Sequence, residues 1–276
     1  MIRLAVRVTR ARAPEVLAEL LVLSPAGLEE IDVDEQTIEY VLYGAPGELP
    51  GLPELRASLG EDLVALGTSE IADDWAERWR SFHQPVELAE RLYVRAPWHP
   101  PPPDERGLID LVIEPGQAFG TGAHATTRLC LELLVELERA GTARGALLDV
   151  GCGSGVLAIA AAKLGWSPVI ALDHEAESVG ATGQNALANG VAIDVRRADL
   201  HTDELPATPT IVANLLRPLL LLLSERLAQP PALLLVSGLL VDQGDELAAE
   251  LAARHRLQER RRRRDGEWLA LLFEHA

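Results

Sequence analysis

The amino-acid sequence predicts an α/β protein with a doubly wound parallel sheet and a C-terminal antiparallel hairpin, preceded by a small α+β domain. Three observations support this fold class. From residue 146 onward, apolar runs of strand length alternate with stretches of helical length, which is typical of a parallel sheet covered on both faces. Asp265-Gly266 separates two further strand-like runs, a strong hairpin signal. The first third has the order β-α-β-β-α-β.

The elements of the first third follow from local patterns. Ile2–Val8 alternates apolar and polar residues, as a strand does, and Pro14 opens a helical stretch with an apolar face. A pair of strands around an acidic turn, a short helix and a last strand follow, at Leu28–Val33, Thr37–Tyr43, Leu52–Leu59 and Asp62–Leu66. This order suits a small ferredoxin-like domain, with helices packed on one face of a sheet, and we assign it to residues 1–67.

Residues 68–103 are predicted to link two domains. Asp73 and Asp74 are expected to cap a helix that runs through about Phe82. A strand is expected at Arg91–Ala96, and the prolines of Pro100–Pro103 favour a stiff extended run. The second domain is therefore assigned to residues 104–276.

The second domain is interpreted as five parallel strands, the helices between them and the terminal hairpin. The predicted parallel strands are Ala146–Val150, Val169–Asp173, Val191–Arg196, Thr210–Asn214 and Ala232–Ser237. The predicted helices are Ser154–Leu164, Glu175–Asn189, Pro218–Ala228 and Gln243–Ala253, and the hairpin strands are Arg256–Arg264 and Glu267–His275. A further helix is expected after Thr126 and Thr127, with Leu129, Leu133 and Leu137 facing inward.

The formal net charge of −17 restricts the classes of partner. Such a surface repels phosphate backbones, so no direct contact with nucleic acid is expected. It would attract a basic protein, although the charge would also serve solubility alone. Five consecutive arginines, Arg260–Arg264, invite a nucleic-acid interpretation. We favour a solvated sheet edge, because side chains alternate faces along a strand and charge blocks aggregation at sheet edges.

No apolar run has the length and continuity of a membrane span, and no signal-peptide pattern opens the chain. We therefore expect a cytoplasmic protein without a membrane partner, and a monomer. The two cysteines, Cys130 and Cys152, are too few for a disulfide framework or a structural zinc site. They are interpreted as small buried side chains, and no metal is expected.

The main chemical signal is a glycine-rich turn at Asp149–Gly155, between a predicted strand and helix. A turn of this kind brings the backbone close to a ligand, and the N–H groups of the following helix favour an anionic group. Enzymes that bind dinucleotides usually have Gly-x-Gly-x-x-Gly. Here the third glycine comes one residue sooner and an acidic residue stands two before the first, which resembles the S-adenosylmethionine motif. A glycine turn without a ligand is the alternative.

Two aspartates follow the next two strands. Asp173 ends a strand about twenty residues after the turn, where an acidic residue accepts hydrogen bonds from ribose hydroxyls. The alternative is that Asp173 caps the helix that starts near Glu175. Asp199 follows the third strand and is a candidate acceptor for the adenine amino group, or else an ordinary loop aspartate.

Further motifs resemble the ribosomal protein L11 methyltransferase family. The most specific are the segment Glu114–Thr127 with its Phe-Gly-Thr-Gly-x-His-x-Thr-Thr string, and Val212–Leu216 with the sequence Val-Ala-Asn-Leu-Leu. The resemblance runs from about Asp73 to the C-terminus and includes Asp74-Trp75, Trp79-Arg80, Ala96-Pro97-Trp98 and Ser237-Gly238-Leu239-Leu240. A hairpin that closes a parallel sheet also resembles the class I methyltransferase fold. The N-terminal third is similar in layout only.

The resemblance implies roles for individual residues. Four residues would contact the cofactor S-adenosylmethionine: Thr127, Gly151, Asp173 and Asn214. Three more would line the same pocket: Phe119, Gly120 and Gly153.

Four polar residues admit more than one interpretation from their own chemistry. Thr126 or Thr127 could cap the following helix, which is compatible with cofactor binding. His124 is a candidate base, although a histidine beside threonines is more often structural. Asn214 ends the fourth strand, and its oxygen could accept a hydrogen bond from an incoming amine or simply form a turn. We assign Asn214 as the catalytic residue.

The resemblance implies S-adenosylmethionine-dependent N-methylation of lysine or other amino groups on a basic large-subunit ribosomal protein, L11. The first domain would then recognise this substrate, and residues 104–276 would bind the cofactor. Two alternatives stay open: methylation of another protein or a small molecule, and a catalytically silent relic of the fold. The glycine spacing and the hairpin disfavour a nicotinamide-dependent dehydrogenase.

Overall fold

The computed structural model describes residues 2–13, 16–17, 20, 28–34, 36–44, 49, 51–60, 63–70, 83–115, 122 and 124–275. The contacts divide the chain into two compact units, Met1–Phe82 and His83–Ala276. The helix predicted from Asp73 to Phe82 lies outside the described residues.

The first unit contains a four-stranded antiparallel sheet. Its strands are β1 (Ile2–Thr9), β2 (Glu29–Asp32), β3 (Thr37–Gly44) and β4 (Leu63–Glu70), and its helix α1 is Leu52–Leu59. The strand order is β2-β3-β1-β4. Leu4, Val6 and Val8 alternate along β1 and pack with Leu20 and Leu55 in a core of their own. Because Val16 and Leu17 are helical, the predicted β-α-β-β-α-β order is confirmed.

The second unit begins with a small sheet that was predicted only in part. Its strands are β5 (Val86–Leu88), β6 (Leu92–Arg95) and β7 (Ile109–Val112). β5 and β6 are antiparallel, whereas β6 and β7 are parallel. Leu88, Leu92 and Val94 are buried in the core of the second unit, so residues 83–103 of the predicted linker are part of that unit.

The main sheet has seven strands in the order β10-β9-β8-β11-β12-β14-β13. They are β8 (Leu147–Val150), β9 (Val169–Asp173), β10 (Asp194–Arg197), β11 (Thr210–Asn214), β12 (Leu233–Leu240), β13 (Leu257–Asp265) and β14 (Trp268–His275). The helices are α2 (Ala125–Arg139), α3 (Val156–Leu164), α4 (Ala176–Ala188), α5 (Arg217–Arg226) and α6 (Gly244–His255). The first five strands are parallel, and only β14 pairs antiparallel with β12 and β13.

Strand alternation distributes the apolar side chains between two cores, one on each face of this sheet. Leu147 and Val212 belong to one core, and their neighbours Leu148 and Ile211 belong to the other. The strand order reverses between β8 and β11, which creates the crevice at the carboxyl ends where such sheets bind ligands. The predicted doubly wound sheet with a terminal hairpin is confirmed.

Two element boundaries differ from the prediction for local reasons. Strand β10 begins three residues later than expected, because the N–H of Val191 donates to Ala186 O and completes the C-terminal cap of α4. In the hairpin, Asp265 pairs with Trp268, so the turn is Gly266–Glu267 rather than Asp265-Gly266. Gly266 has a φ of +59° and takes the first central position of the turn.

The arginine run lies on β13, the edge strand of the main sheet. Arg261 and Arg263 both pair with Glu136, at 2.7 and 2.9 Å, and Arg260 pairs with Glu274 at 2.8 Å. Arg262 and Arg264 also have carboxylate partners, so every arginine of the run is paired on a charged sheet edge, as the sequence predicted. Among the described residues, no helix combines the length and apolar character that crossing a membrane requires.

Candidate functional site

The glycine turn leaves β8 at the centre of the sheet and enters α3. The N–H groups of Gly151 and Cys152 both donate to Leu172 O, at 2.8 and 3.0 Å, which ties the turn to β9. Gly151 has a φ of +75°, and a Cβ atom there would overlap the Cδ2 atom of Leu215. The positive φ favours glycine at this position, whereas the Leu215 side chain could move away from a Cβ atom.

Asp173 connects the end of β9 to the turn. Its Oδ2 accepts from the Gly153 N–H at 2.9 Å, and its Oδ1 accepts from the Glu175 N–H at 3.0 Å. The second contact is a local bond to the residue before α4, Glu175, which is the N-cap of this helix and has no side-chain cap bond. A carboxylate has about four acceptor positions, so capacity for ligand hydroxyls remains. Asp173 therefore does not cap α4, and its two local bonds leave it able to bind a ligand.

A cavity of about 340 Å³ opens at this carboxyl edge. Gly151, Asp173 and Asp199, all predicted from the sequence, line it together with the apolar side chains of Leu172 and Leu205. The exposed Asp199 is partly engaged, because its Oδ1 accepts from the His201 N–H at 2.8 Å and lies 3.0 Å from His201 Nδ1. The cavity thus has acidic groups at its rim and apolar walls.

Asp149 is a fully buried carboxylate beneath the turn. Its Oδ2 accepts from the Ala158 N–H in the first turn of α3, at 3.1 Å, and its Oδ1 has no partner among the described residues. Burial raises the pKa of Asp149 to about 7, the nearby Asp173 acts in the same direction, and the Ala158 N–H opposes them. An unpartnered buried acceptor at this place favours a positively charged or N–H-bearing group in the site.

We expect Asp149→Asn to remove one component of the pH dependence of stability. The pKa of Asp149 is about 7 in the folded protein against 3.8 for the unconstrained group, so the folded state holds the extra proton between these values. The free energy of unfolding of the native protein should therefore fall as pH rises from about 4 to 7. Relative to Asp149→Asn, the loss should approach roughly 4 kcal/mol.

Urea unfolding of both proteins at intervals from pH 4 to 8 would measure this difference. Other carboxylates titrate equally in the two proteins and cancel in the comparison. Parallel curves over the whole range would show that Asp149 is ionised throughout.

Asn214, at the end of β11, is held by the two threonines of α2. Its Nδ2 lies 3.2 Å from Thr126 Oγ1 and 3.4 Å from Thr127 Oγ1. The amide nitrogen is the donor in both contacts, which leaves Oδ1 available as an acceptor. The structure therefore brings together two predicted site residues, Thr127 and Asn214.

His124 caps α2, whereas the sequence suggested Thr126 or Thr127 as the cap. The helix begins at Ala125, and His124 Nδ1 accepts from the Thr126 N–H at 3.3 Å and lies 2.8 Å from Thr126 Oγ1. Burial lowers the pKa of His124, and Arg128 acts in the same direction. The ring packs edge-on against Trp268, with centroids 4.9 Å apart. These contacts give His124 a structural role.

A polar face of α4 was missed at the sequence level. Thr182, Asn185 and Asn189 follow the spacing i, i+3, i+7 and so share one side of the helix. Thr182 Oγ1 donates to Gly153 O at 2.9 Å, and Asn185 Nδ2 donates to Ser154 O at 2.8 Å. In the sequence, the signal for this face is polar residues at a helical spacing that an amphipathic helix would normally fill with apolar residues.

Two of the residues expected to line the pocket, Phe119 and Gly120, lie outside the described residues. Gly153 is not among the residues that line the cavity, but its N–H donates to Asp173, which does line it. Cys130 and Cys152 are free and buried, as expected.

Known proteins resemble this chain in sequence and fold. The family model for ribosomal protein L11 methyltransferase (PrmA) matches residues 54–276. A relative of that name from Pseudomonas putida (strain W619) is 40% identical over 205 residues, which cover 72% of this chain and 68% of the relative. Another, from Pelobacter propionicus, is 34% identical over 254 residues, covering 90% and 79%. The crystal structure of ribosomal protein L11 methylase from Lactobacillus delbrueckii subsp. bulgaricus has a TM-score of 0.62 and 31% identity, covering 70% of this chain and 99% of that one. The chain therefore belongs to the family that its motifs indicated, the ribosomal protein L11 methyltransferases.

Proposed function

We propose that this protein transfers methyl groups from S-adenosylmethionine to amino groups of ribosomal protein L11. The observation that carries the proposal is the meeting of Gly151, Asp173 and Asp199 in one cavity at the carboxyl edge of the sheet. Because the chain belongs to this family, we infer that the cofactor binds in this cavity.

The residues of the cavity fit such a cofactor. Gly151 lines the cavity without a side chain, and Asp173 keeps acceptor capacity for ribose hydroxyls. Asp149 lies beneath the turn with an Oδ1 that has no partner among the described residues, and we take it as an acceptor for the ammonium of a methionine tail. The apolar walls at Leu172 and Leu205 suit an adenine ring, with Asp199 at the rim as an acceptor for its amino group.

When bound, the cofactor supplies a methyl group on a sulfonium, which is a good leaving group. The protein therefore needs to align a neutral amine more than to provide a strong base. A lysine amine starts with a pKa near 10.4, and desolvation lowers it. Asn214 Oδ1 would accept a hydrogen bond from this amine while Thr126 and Thr127 hold the amide nitrogen. The amine proton would leave to water between successive methyl transfers.

The charge distribution supports a basic protein as the substrate. Acidic residues outnumber arginines by sixteen to seven among residues 1–82, in a chain with a net charge of −17. Complementary charge accelerates the encounter of two proteins and guides its orientation. A ribosomal protein substrate also fits the cytoplasmic location expected from the sequence.

We expect Asn214→Ala to lower turnover about 100-fold, because misalignment of the attacking group has costs of this order. The Kd of S-adenosylhomocysteine should change much less, since the glycine turn and Asp173 remain. Steady-state kinetics and calorimetry on the same preparation measure the two quantities. Asn214→Asp, which keeps an acceptor oxygen, should lose less turnover than Asn214→Ala. Equal losses of turnover and affinity would contradict this division of roles.

Two measurements separate the alternatives to this function. Binding of S-adenosylmethionine in a calorimeter distinguishes an enzyme from a silent relic of the fold. Mass spectrometry of ribosomal proteins from cells with and without the enzyme then identifies the substrate. Unchanged masses of L11 would redirect the proposal to another protein or a small molecule.

A further inference from the structure

We propose that Asn185 is a positioning residue of the cofactor site, which holds the glycine turn at a fixed distance from the segment that follows β7. Asn185 lies on α4 and is only 2% exposed. Its Nδ2 donates to Ser154 O at 2.8 Å, and its Oδ1 accepts from the Glu114 N–H at 3.0 Å. Both ends of one side-chain amide are therefore used by two chain segments that are distant in sequence. The identity of the cofactor rests on the proposed function.

The first of these bonds acts directly on the turn. Ser154 follows Gly153, whose N–H donates to Asp173 at the cavity wall. Thr182, one helical turn before Asn185, donates to Gly153 O at 2.9 Å. Two consecutive carbonyls of the turn are thus fixed by α4, and a shift of Ser154 would move Gly153 relative to Asp173.

The second bond acts on the segment after β7. Glu114 is the first residue of the motif that continues in sequence to Phe119 and Gly120, which are predicted to line the cofactor pocket. The amide of Asn185 therefore spans two parts of the chain that are both assigned to the cofactor. Its orientation is fixed, because only the nitrogen can donate and only the oxygen can accept.

Asn189 provides a matched control on the same face of α4. Its Oδ1 accepts from the Val112 N–H at 2.9 Å, and its Nδ2 donates to Val112 O at 2.6 Å. These bonds tie the end of α4 to β7, whereas the Glu114 bond ties α4 to the segment after β7. Asn189 Nδ2 also donates to Asn185 O at 2.8 Å, and its described side-chain hydrogen bonds do not include the glycine turn. A purely structural role for this face predicts similar effects on cofactor affinity at both positions, whereas the positioning role predicts an effect at Asn185 alone.

The experiment compares Asn185→Ala with Asn189→Ala in the full-length protein. Each variant leaves buried backbone groups without partners, so both should lower the Tm. Only Asn185→Ala should raise the Kd of S-adenosylhomocysteine, by about tenfold, because only this variant releases Ser154 O and lets the turn shift relative to Asp173, and small misplacements of binding groups have effects of this order. Asn185→Asp keeps the side-chain volume and the acceptor for Glu114 but loses the donor to Ser154, so it tests the same bond if Asn185→Ala does not fold.

Hydrogen exchange followed by mass spectrometry gives a readout that does not depend on the cofactor. Asn185→Ala or Asn185→Asp should accelerate exchange in residues 151–158, whereas Asn189→Ala should accelerate it only around Val112. Equal changes in Kd for the two positions, or unchanged exchange in the turn of the Asn185 variants, would overturn the proposal. Failure of the native protein to bind S-adenosylhomocysteine would overturn the proposed function instead, and the exchange result would still decide the role of Asn185.

Discussion

Replacing Gly238 with alanine is expected to abolish most methyltransferase activity and to destabilise the protein by about 3 kcal/mol. Gly238 has a φ of +87°, and its Cβ would lie 2.7 Å from the carbonyl carbon of Leu215 and overlap the carbonyl oxygen. The obstacle is backbone, which cannot rotate away as a side chain does. Leu215 follows Asn214 directly, and its N–H donates to Ser237 O at 3.0 Å. A displacement of Leu215 therefore moves Asn214.

Gly266→Ala is the matched control for this prediction. Gly266 also has a positive φ, of +59°, but a Cβ there would meet nothing within 4 Å. The control therefore carries the conformational cost alone, about 1–2 kcal/mol, and should keep its activity. Chemical denaturation and initial rates of methylation measure the two effects. Full activity in Gly238→Ala would mean that Asn214 tolerates movement of the segment that follows it.

The parallel sheet could be predicted because its strands carry their own signal. Val169–Asp173 and Thr210–Asn214 have the predicted bounds, since buried parallel strands are short apolar runs with clear ends. The carboxyl ends of such strands meet at one edge. The strand ends therefore predict that Asp173 and Asn214 lie at the same edge of the sheet.

The small sheet of β5, β6 and β7 could not be predicted in the same way. β5 has three residues and β7 has four, too few for a periodic pattern. β7 exists because it pairs with β6 across a connection that includes Pro100–Pro103. Pairing between distant segments leaves no local signature, so the proline run was interpreted as part of a linker.

The contacts that support the site could not be predicted from the sequence for a related reason. The spacing of Thr182, Asn185 and Asn189 shows a shared helix face, but nothing local identifies Gly153, Ser154 or Val112 as their partners. His124 was a further case, because histidine is outside the usual set of N-terminal caps. His124 caps α2 together with a contact to Thr126 Oγ1, and its ring packs against Trp268, which is distant in sequence.

Removing residues 1–82 is expected to abolish methylation of ribosomal protein L11 while leaving the Kd of S-adenosylhomocysteine within about twofold. The second unit keeps both of its cores, and the first unit has a separate core around Leu4, Leu20 and Leu55. All residues assigned to the cofactor lie after residue 113. The first unit has nine more acidic residues than arginines, so about half of the net charge of −17 is removed with it and the attraction for a basic partner is weakened.

The cause of the loss can be separated from a damaged catalytic site with a second substrate. A short lysine-containing peptide is too small to depend on a recognition domain, so the truncated and full-length proteins should methylate it at similar, slow rates. Binding energy from remote parts of a substrate raises catalysis only when those parts are present. The difference between the two proteins should therefore appear with intact L11 alone. Undiminished methylation of L11 by the truncated protein would place substrate recognition within residues 83–276.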